Sequence, residues 1–148
     1  RIPSSRIVLF GESLGGAIAI DQALRAQSSG SPAAGLVVQS SFTSIPDMAA
    51  SVIPHFPGIL LRTKMNSLDK IKSVSCPKLF IHSRADNIVP FEMGERLFAA
   101  APQPKEFYEV IGARHNETEI IGGSPYLNAI LRFVRSLEPA VPLQLPPE

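Results

Sequence analysis

The chain has 148 residues, 14 Lys and Arg against 13 Asp and Glu, a formal net charge of +1, and 45% hydrophobic residues. That length suits one domain, and the apolar share is enough for a packed core, which excludes wholesale disorder. Near-neutral charge without a basic cluster gives no electrostatic footprint for nucleic acid, and the single cysteine, Cys76, excludes an internal disulfide or a Cys-rich zinc site.

Arg6-Ile-Val-Leu-Phe10 is a short β-branched apolar run and predicts a buried strand. The Gly-rich stretch Gly11 to Gly16 follows, then a helix over Ala17 to Gln27 with Leu14, Ala17, Ile18 and Leu24 sharing one face. Ser28 to Pro32 stops it. Gly35 to Gln39 predicts a second buried strand. Residues 40 to 75 are broken by Pro46, Pro54 and Pro57, with amphipathic turns expected at Ile45–Val52 and Ile59–Arg62. Ser67 to Ile71 reads as a short helix capped by Ser67 or Asn66.

Regularity returns with a third strand, Lys78 to His82, and a helix over Phe91 to Ala101 entered through Pro90. Glu106 to Ile111 predicts a fourth strand and Tyr126 to Leu137 a final helix, with Leu127, Ile130, Leu131 and Val134 on one side. Residues 139–148 hold four prolines and predict a loose tail. Strands alternating with helices imply an α/β fold with a parallel sheet covered on both faces. No run approaches the roughly 18 apolar residues of a membrane span.

Gly11-Glu-Ser-Leu-Gly15 matches G-x-S-x-G and lies between a predicted strand and helix, the context this motif requires. The flanking glycines let backbone segments pass without Cβ clashes, so the turn projects the Ser13 hydroxyl above the sheet. The N–H of Leu14 and the helix dipole then stand beside it as an oxyanion donor. Without that chemistry the segment is a Gly-rich connection.

A serine nucleophile needs a base, and the base an orienting carboxylate. The histidines are His55, His82 and His115. In a parallel sheet, reactive groups collect beyond the strand C-termini, which favours His115 in Gly112-Ala-Arg-His-Asn116. His82, at the third strand's end, reads as packed or hydrogen-bonded, and His55 as a surface or lid residue. Asp86 in Ser83-Arg-Ala-Asp-Asn87 occupies the equivalent loop after the third strand, where a helix-capping role competes with an orienting one. Asp47, Asp69 and Glu92 lack such a position, and Glu117 and Glu119 stand too near His115 in sequence. Glu12 fits a favourable site beside the helix start and Cys76 a packing site.

With those residues in place, the chain resembles the α/β-hydrolase superfamily, in the branch of abhydrolase-domain and serine-aminopeptidase-like hydrolases. The resemblance rests on Gly11 to Gly16, Ser40-Ser-Phe-Thr-Ser44, His82 to Pro90 and Gly112 to His115, and extends from about Arg6 to Leu137. Ser83 departs from the pattern, which usually has Gly there. The resemblance implies residues 1–138 as the C-terminal part of such a domain. It also implies four strands and the loop donating a second oxyanion N–H upstream, and a nucleophile strand that is central in the complete sheet.

The expected function is a serine hydrolase cleaving an ester, thioester or amide of a small-molecule or acylated substrate through an acyl-enzyme, with no cofactor and no metal. Ser13, His115 and Asp86 are its triad and Leu14 its oxyanion donor. The alternative is a non-catalytic binding module or an inactive fragment. Residues 44–75, with Ile53, Phe56, Ile59, Leu60 and Leu61, are lid-like or pack on the sheet. Because the chain opens on Arg1, cytoplasm is only a default, an upstream anchor or targeting segment is compatible with the sequence, and oligomeric state is open.

Overall fold

A computed structural model describes residues 2–53 and 63–137. Four parallel strands form one sheet in the order β1-β2-β3-β4: β1 Val8–Glu12, β2 Gly35–Gln39, β3 Lys78–His82 and β4 Lys105–Glu109. The α/β class and the parallel sheet agree with the sequence. β2 and β3 are buried along their whole length on both faces, the pattern of a central parallel strand.

Side chains divide strictly by strand periodicity. Leu36, Val38 and Phe80 face α1 (Leu14–Ser28), α3 (Ser67–Ile71) and α4 (Phe91–Ala100), meeting Ile20, Ile71 and Leu97. Val37, Leu79 and Ile81 face the opposite side and pack with Tyr126 and Phe133 of α5 (Thr118–Ser136). A third cluster, at the C-terminal rim of the sheet, joins Ala17, Phe42, Val89 and Met93, with Ile45 and Met48 of α2 (Ile45–Val52) against it. That cluster fixes the β1–α1 turn against the loop after β3. Cys76 is buried in the first cluster, a packing residue as expected.

Several boundaries differ from expectation. β1 starts at Val8 rather than Arg6, because Pro3 opens a 3-10 turn over Ser4–Arg6 closed by Arg6 N–H to Pro3 O at 3.0 Å. α1 starts at Leu14, directly after the serine. β4 ends at Glu109, leaving Ile111 exposed. α5 begins eight residues before Tyr126, at Thr118, and Gly123 (φ 50, ψ −140) breaks it into two stretches. The expected helix is the second stretch, entered through Pro125, whose missing N–H costs nothing in a first turn. Residues 59–62, His55, Phe56 and the tail at 139–148 lie outside the described residues.

The buried face of α1 is also not the one its larger side chains suggest. Gly16, Ala17, Ala19, Ile20 and Ala23 are buried, whereas Leu14 is 51% and Ile18 46% exposed. The helix approaches the sheet closely, and small residues permit that approach. Along α5, Tyr126, Ala129 and Phe133 are buried while Leu127, Leu131 and Val134 are exposed. Among the described residues β1 pairs only with β2, and the exposed Ile18 lies on the helix packed against it.

The corrected face is directly testable by urea denaturation. Ile20→Ala, at a position with no exposure, should cost about 2–5 kcal/mol. Ile18→Ala should stay within about 0.5 kcal/mol. Equal losses at the two positions would contradict this packing of α1.

Candidate active site

Ser13 sits between the last residue of β1 and the first of α1, with φ 51 and ψ −118. A non-glycine residue at positive φ is uncommon and costs of order 1–3 kcal/mol, so it persists where the surroundings over-determine it. The surroundings here are explicit. Its N–H donates to Gln39 O at 2.9 Å, and its carbonyl accepts from the N–H of Gly16 at 3.0 Å and the hydroxyl of Ser41 at 2.8 Å. A Cβ on Gly11 would lie 2.1 Å from the carbonyl oxygen of Gly15, and one on Gly16 would lie 2.5 Å from Ser41 Cβ. Only glycines permit so close a crossing of strand end and helix start.

Asp86 lies in the loop after β3, its side chain 1% exposed. Its Oδ1 accepts the N–H groups of Ile88 and Val89, each at 2.9 Å, so the carboxylate closes its own turn rather than capping α4. Its Oδ2 lies 2.8 Å from Nδ1 of His115. His115, also buried, follows β4, and its backbone N–H donates to Asn87 Oδ1 at 3.2 Å. The structure thus brings Asp86 and His115 into direct contact. Ser83, buried, accepts the N–H of Ala85 at 3.1 Å and serves the same turn.

Ser13 stands on the same rim. Ala17, one turn into the serine's helix, packs with Val89 of the carboxylate loop. Glu12 and Asn116, the neighbours of Ser13 and His115, line one cleft of about 190 Å³ with Thr118, Glu119 and Ile120. Among the described residues, no hydrogen bond joins Ser13 to His115. Such bonds are often long before substrate binds.

Burial alone acts to raise the Asp86 pKa. Hydrogen bonds from His82 and His115 and from the N–H groups of Ile88 and Val89 outweigh it, holding the carboxyl well below its usual range. Tyr126 goes the other way. Burial, together with Glu119 and Glu12, pushes its phenol up to about 12, and it donates to Gln39 Oε1 at 2.8 Å beneath the serine turn. Among the described residues, no group of three or more His, Cys, Asp or Glu could hold a metal ion, and no helix is long and apolar enough to cross a membrane.

Sequence reasoning placed His82 as a packed or hydrogen-bonded residue, which the structure bears out, but missed its partners. Nε2 lies 3.1 Å from Val89 O and 3.3 Å from Oδ2 of Asp86. The spacing of four between His82 and Asp86 was the available signal. Ser41 and Asn87 were also missed, although they lie within the stretches Ser40–Ser44 and His82–Pro90.

No family model matches the chain. It is 39% identical over 137 residues to an uncharacterized protein of Mycobacterium tuberculosis, covering 90% of this chain and 46% of that one. It is 29% identical to the lysophosphatidylserine lipase ABHD12 of Danio rerio, covering 94% of this chain and 42% of that protein. The crystal structure of an alpha-beta hydrolase from Vibrio vulnificus superposes with a TM-score of 0.69 at 22% identity, over 89% of this chain and 50% of that one. The chain has a partial α/β-hydrolase fold. It spans slightly under half the length of these curated relatives. Within this α/β-hydrolase fold, four parallel strands and their helices are represented.

The sign of the acid dependence follows from Asp86. Its folded-state pKa is depressed, so the stability it contributes is fully present above its unfolded value, about 3.9. That stability is lost as the pH falls toward the folded value. Urea midpoints should therefore drop between pH 6 and pH 3 by clearly more in the wild type than in Asp86→Asn. An equal drop would show that the carboxylate is not stabilised in this way.

Proposed function

We propose that this chain carries the catalytic triad of a serine hydrolase, with Ser13 as nucleophile, His115 as base and Asp86 as the orienting carboxylate. In this reading His115 Nε2 takes the hydroxyl proton of Ser13 as its oxygen attacks an acyl carbon. The tetrahedral oxyanion accepts from the N–H of Leu14, at the positive end of α1. Collapse expels the alcohol, thiol or amine, which takes its proton from His115. Water, deprotonated by the same imidazole, then releases the acid and regenerates Ser13. Asp86 accepts from Nδ1–H throughout, which fixes the tautomer that leaves Nε2 free to act as base.

The observation that carries this reading is the backbone of Ser13, φ 51 and ψ −118 between two glycines at a strand-to-helix turn. Ser40 and Met65 also hold positive φ, so what marks Ser13 is that backbone combined with a strand-to-helix turn whose crossing only glycine at 11 and 16 permits. The His115–Asp86 contact on the same rim supports it. A carboxylic ester is the favoured substrate class, because the relatives of this chain include a lipase. The mechanism uses neither metal nor cofactor.

A specific observation bears on the isolated chain. Leu14 is 51% and Phe10 47% exposed beside the serine, on the open side of β1. These exposed side chains leave the serine's surroundings open to solvent, and oxyanion donors act most strongly in a dry site. A second oxyanion donor is worth about 10²–10³ in rate. We therefore assign residues 1–148 on their own slow turnover.

A fluorophosphonate probe separates chemistry from turnover, because one phosphonylation suffices. Labelling of the wild-type chain at Ser13, abolished in Ser13→Ala and reduced by roughly 10³-fold or more in His115→Ala, is the expected outcome. A folded wild-type chain that never labels, or labelling that survives Ser13→Ala, would overturn the assignment.

A further inference from the structure

We propose that His82 is a positioning residue for the catalytic carboxylate, sharing its Nε2 proton between Val89 O and Oδ2 of Asp86 and so setting the oxygen that receives His115. This rests on the triad reading and adds a second histidine to it.

His82 ends β3 and is 1% exposed. Nε2 faces two oxygens, the Val89 carbonyl at 3.1 Å and the Asp86 carboxylate at 3.3 Å, both acceptors. A bare ring nitrogen between two acceptors would be repelled by both, so Nε2 carries the proton. Nδ1 lies against the backbone of Gly94 in α4, where an added Cβ would stand 2.2 Å away. Phe91 meets the ring edge-on at 5.6 Å between centroids. The imidazole thus has one orientation and no path to a substrate, which excludes it as the general base.

Its effect passes through Asp86. Oδ1 is held by Ile88 and Val89 N–H, so rotation about the carboxylate axis is decided at Oδ2. Oδ2 is the oxygen nearer to His115, 2.8 Å against 3.1 Å for Oδ1, and it is the one His82 approaches. His82 also grips the Val89 carbonyl of the same turn, so one imidazole fixes both the carboxylate and the loop carrying it. Segment 82–94 is therefore a seat in which a strand-end histidine, a turn aspartate and a helix glycine are mutually fitted.

Three measurements on the 148-residue chain test this. His82→Leu should lower the rate of fluorophosphonate labelling and kcat on a p-nitrophenyl ester by about tenfold, the scale of one hydrogen bond to a charged group. KM should change little. His82→Gln, whose amide N–H falls near the position of Nε2, should recover most of that loss, which simple repair of packing would not predict. Independently of any variant, ¹⁵N-detected imidazole spectra of the wild type should show His82 bearing its proton on Nε2.

A folded His82→Leu with kcat and labelling within twofold of wild type would overturn the proposal while leaving Ser13-dependent chemistry intact. So would a neutral His82 carrying its proton on Nδ1, the decisive measurement if His82→Leu does not fold. Activity that survives Ser13→Ala would instead remove the triad reading, and this proposal with it.

Discussion

The structure depends first on how closely the end of β1 passes the start of α1. A Cβ on Gly11 would strike the carbonyl of Gly15, and one on Gly16 would strike Ser41, whereas Gly15 itself faces open space. With glycine at positions 11 and 16, the chain can reverse from strand to helix within a single residue, and Ser13 absorbs the conformational cost. The small buried face of α1 follows from the same closeness. Ala17, Ala19 and Ala23 allow the helix to lie against β1 and β2, whereas a leucine face would hold it away. The turn, the helix face and the position of the serine are one constraint expressed at three levels.

A second constraint concerns charge. Asp86 is a carboxylate with almost no access to water, and burying such a group unpaired is costly. Two backbone N–H groups and two imidazoles surround it, which satisfies both oxygens and keeps it ionised. These partners come from β3, its own turn and the loop after β4. The loop carrying His115 is thus tied to the loop carrying Asp86, and Asn87 ties it again through the His115 N–H. A buried polar network of this kind fixes one arrangement because any slip leaves an unpaired charge.

The sequence is legible where local rules act alone. β2 and β3 have the predicted bounds because each is a continuous apolar run between turn residues. α3 begins where Asn66 caps it, its side chain accepting the N–H of Asp69. The G-x-S-x-G spacing placed Ser13 at a strand-to-helix turn, and strand-end position brought Asp86 and His115 together. What was not legible depends on tertiary packing. The face of α1 looked like its leucines and isoleucines because nothing local reports how near a sheet lies. The break in α5 is a backbone angle at Gly123, and the first stretch has no side-chain cap to announce it. The partners of His82 required knowing that Gly94 would cross beneath it.

The two edges of the sheet differ in a way that bears on the chemistry. β4 is an edge strand of the sequence Lys-Glu-Phe-Tyr-Glu, and Lys105 and Glu109 place charge along it, as solvent-facing edges commonly do. Glu109 is also ion-paired with Arg84 at 3.1 Å. β1 has no such protection. It carries Val8, Leu9 and Phe10 before its first charge at Glu12, and the exposed Ile18 lies on the helix packed against it. The carboxylate and imidazole of the proposed triad lie toward the β4 edge, among satisfied hydrogen bonds. The serine lies at the β1 edge, held by its backbone hydrogen bonds, with the exposed Leu14 beside it. In the proposed mechanism the groups that keep a fixed charge are thus shielded, while the half-exposed Leu14 carries the N–H assigned to the oxyanion.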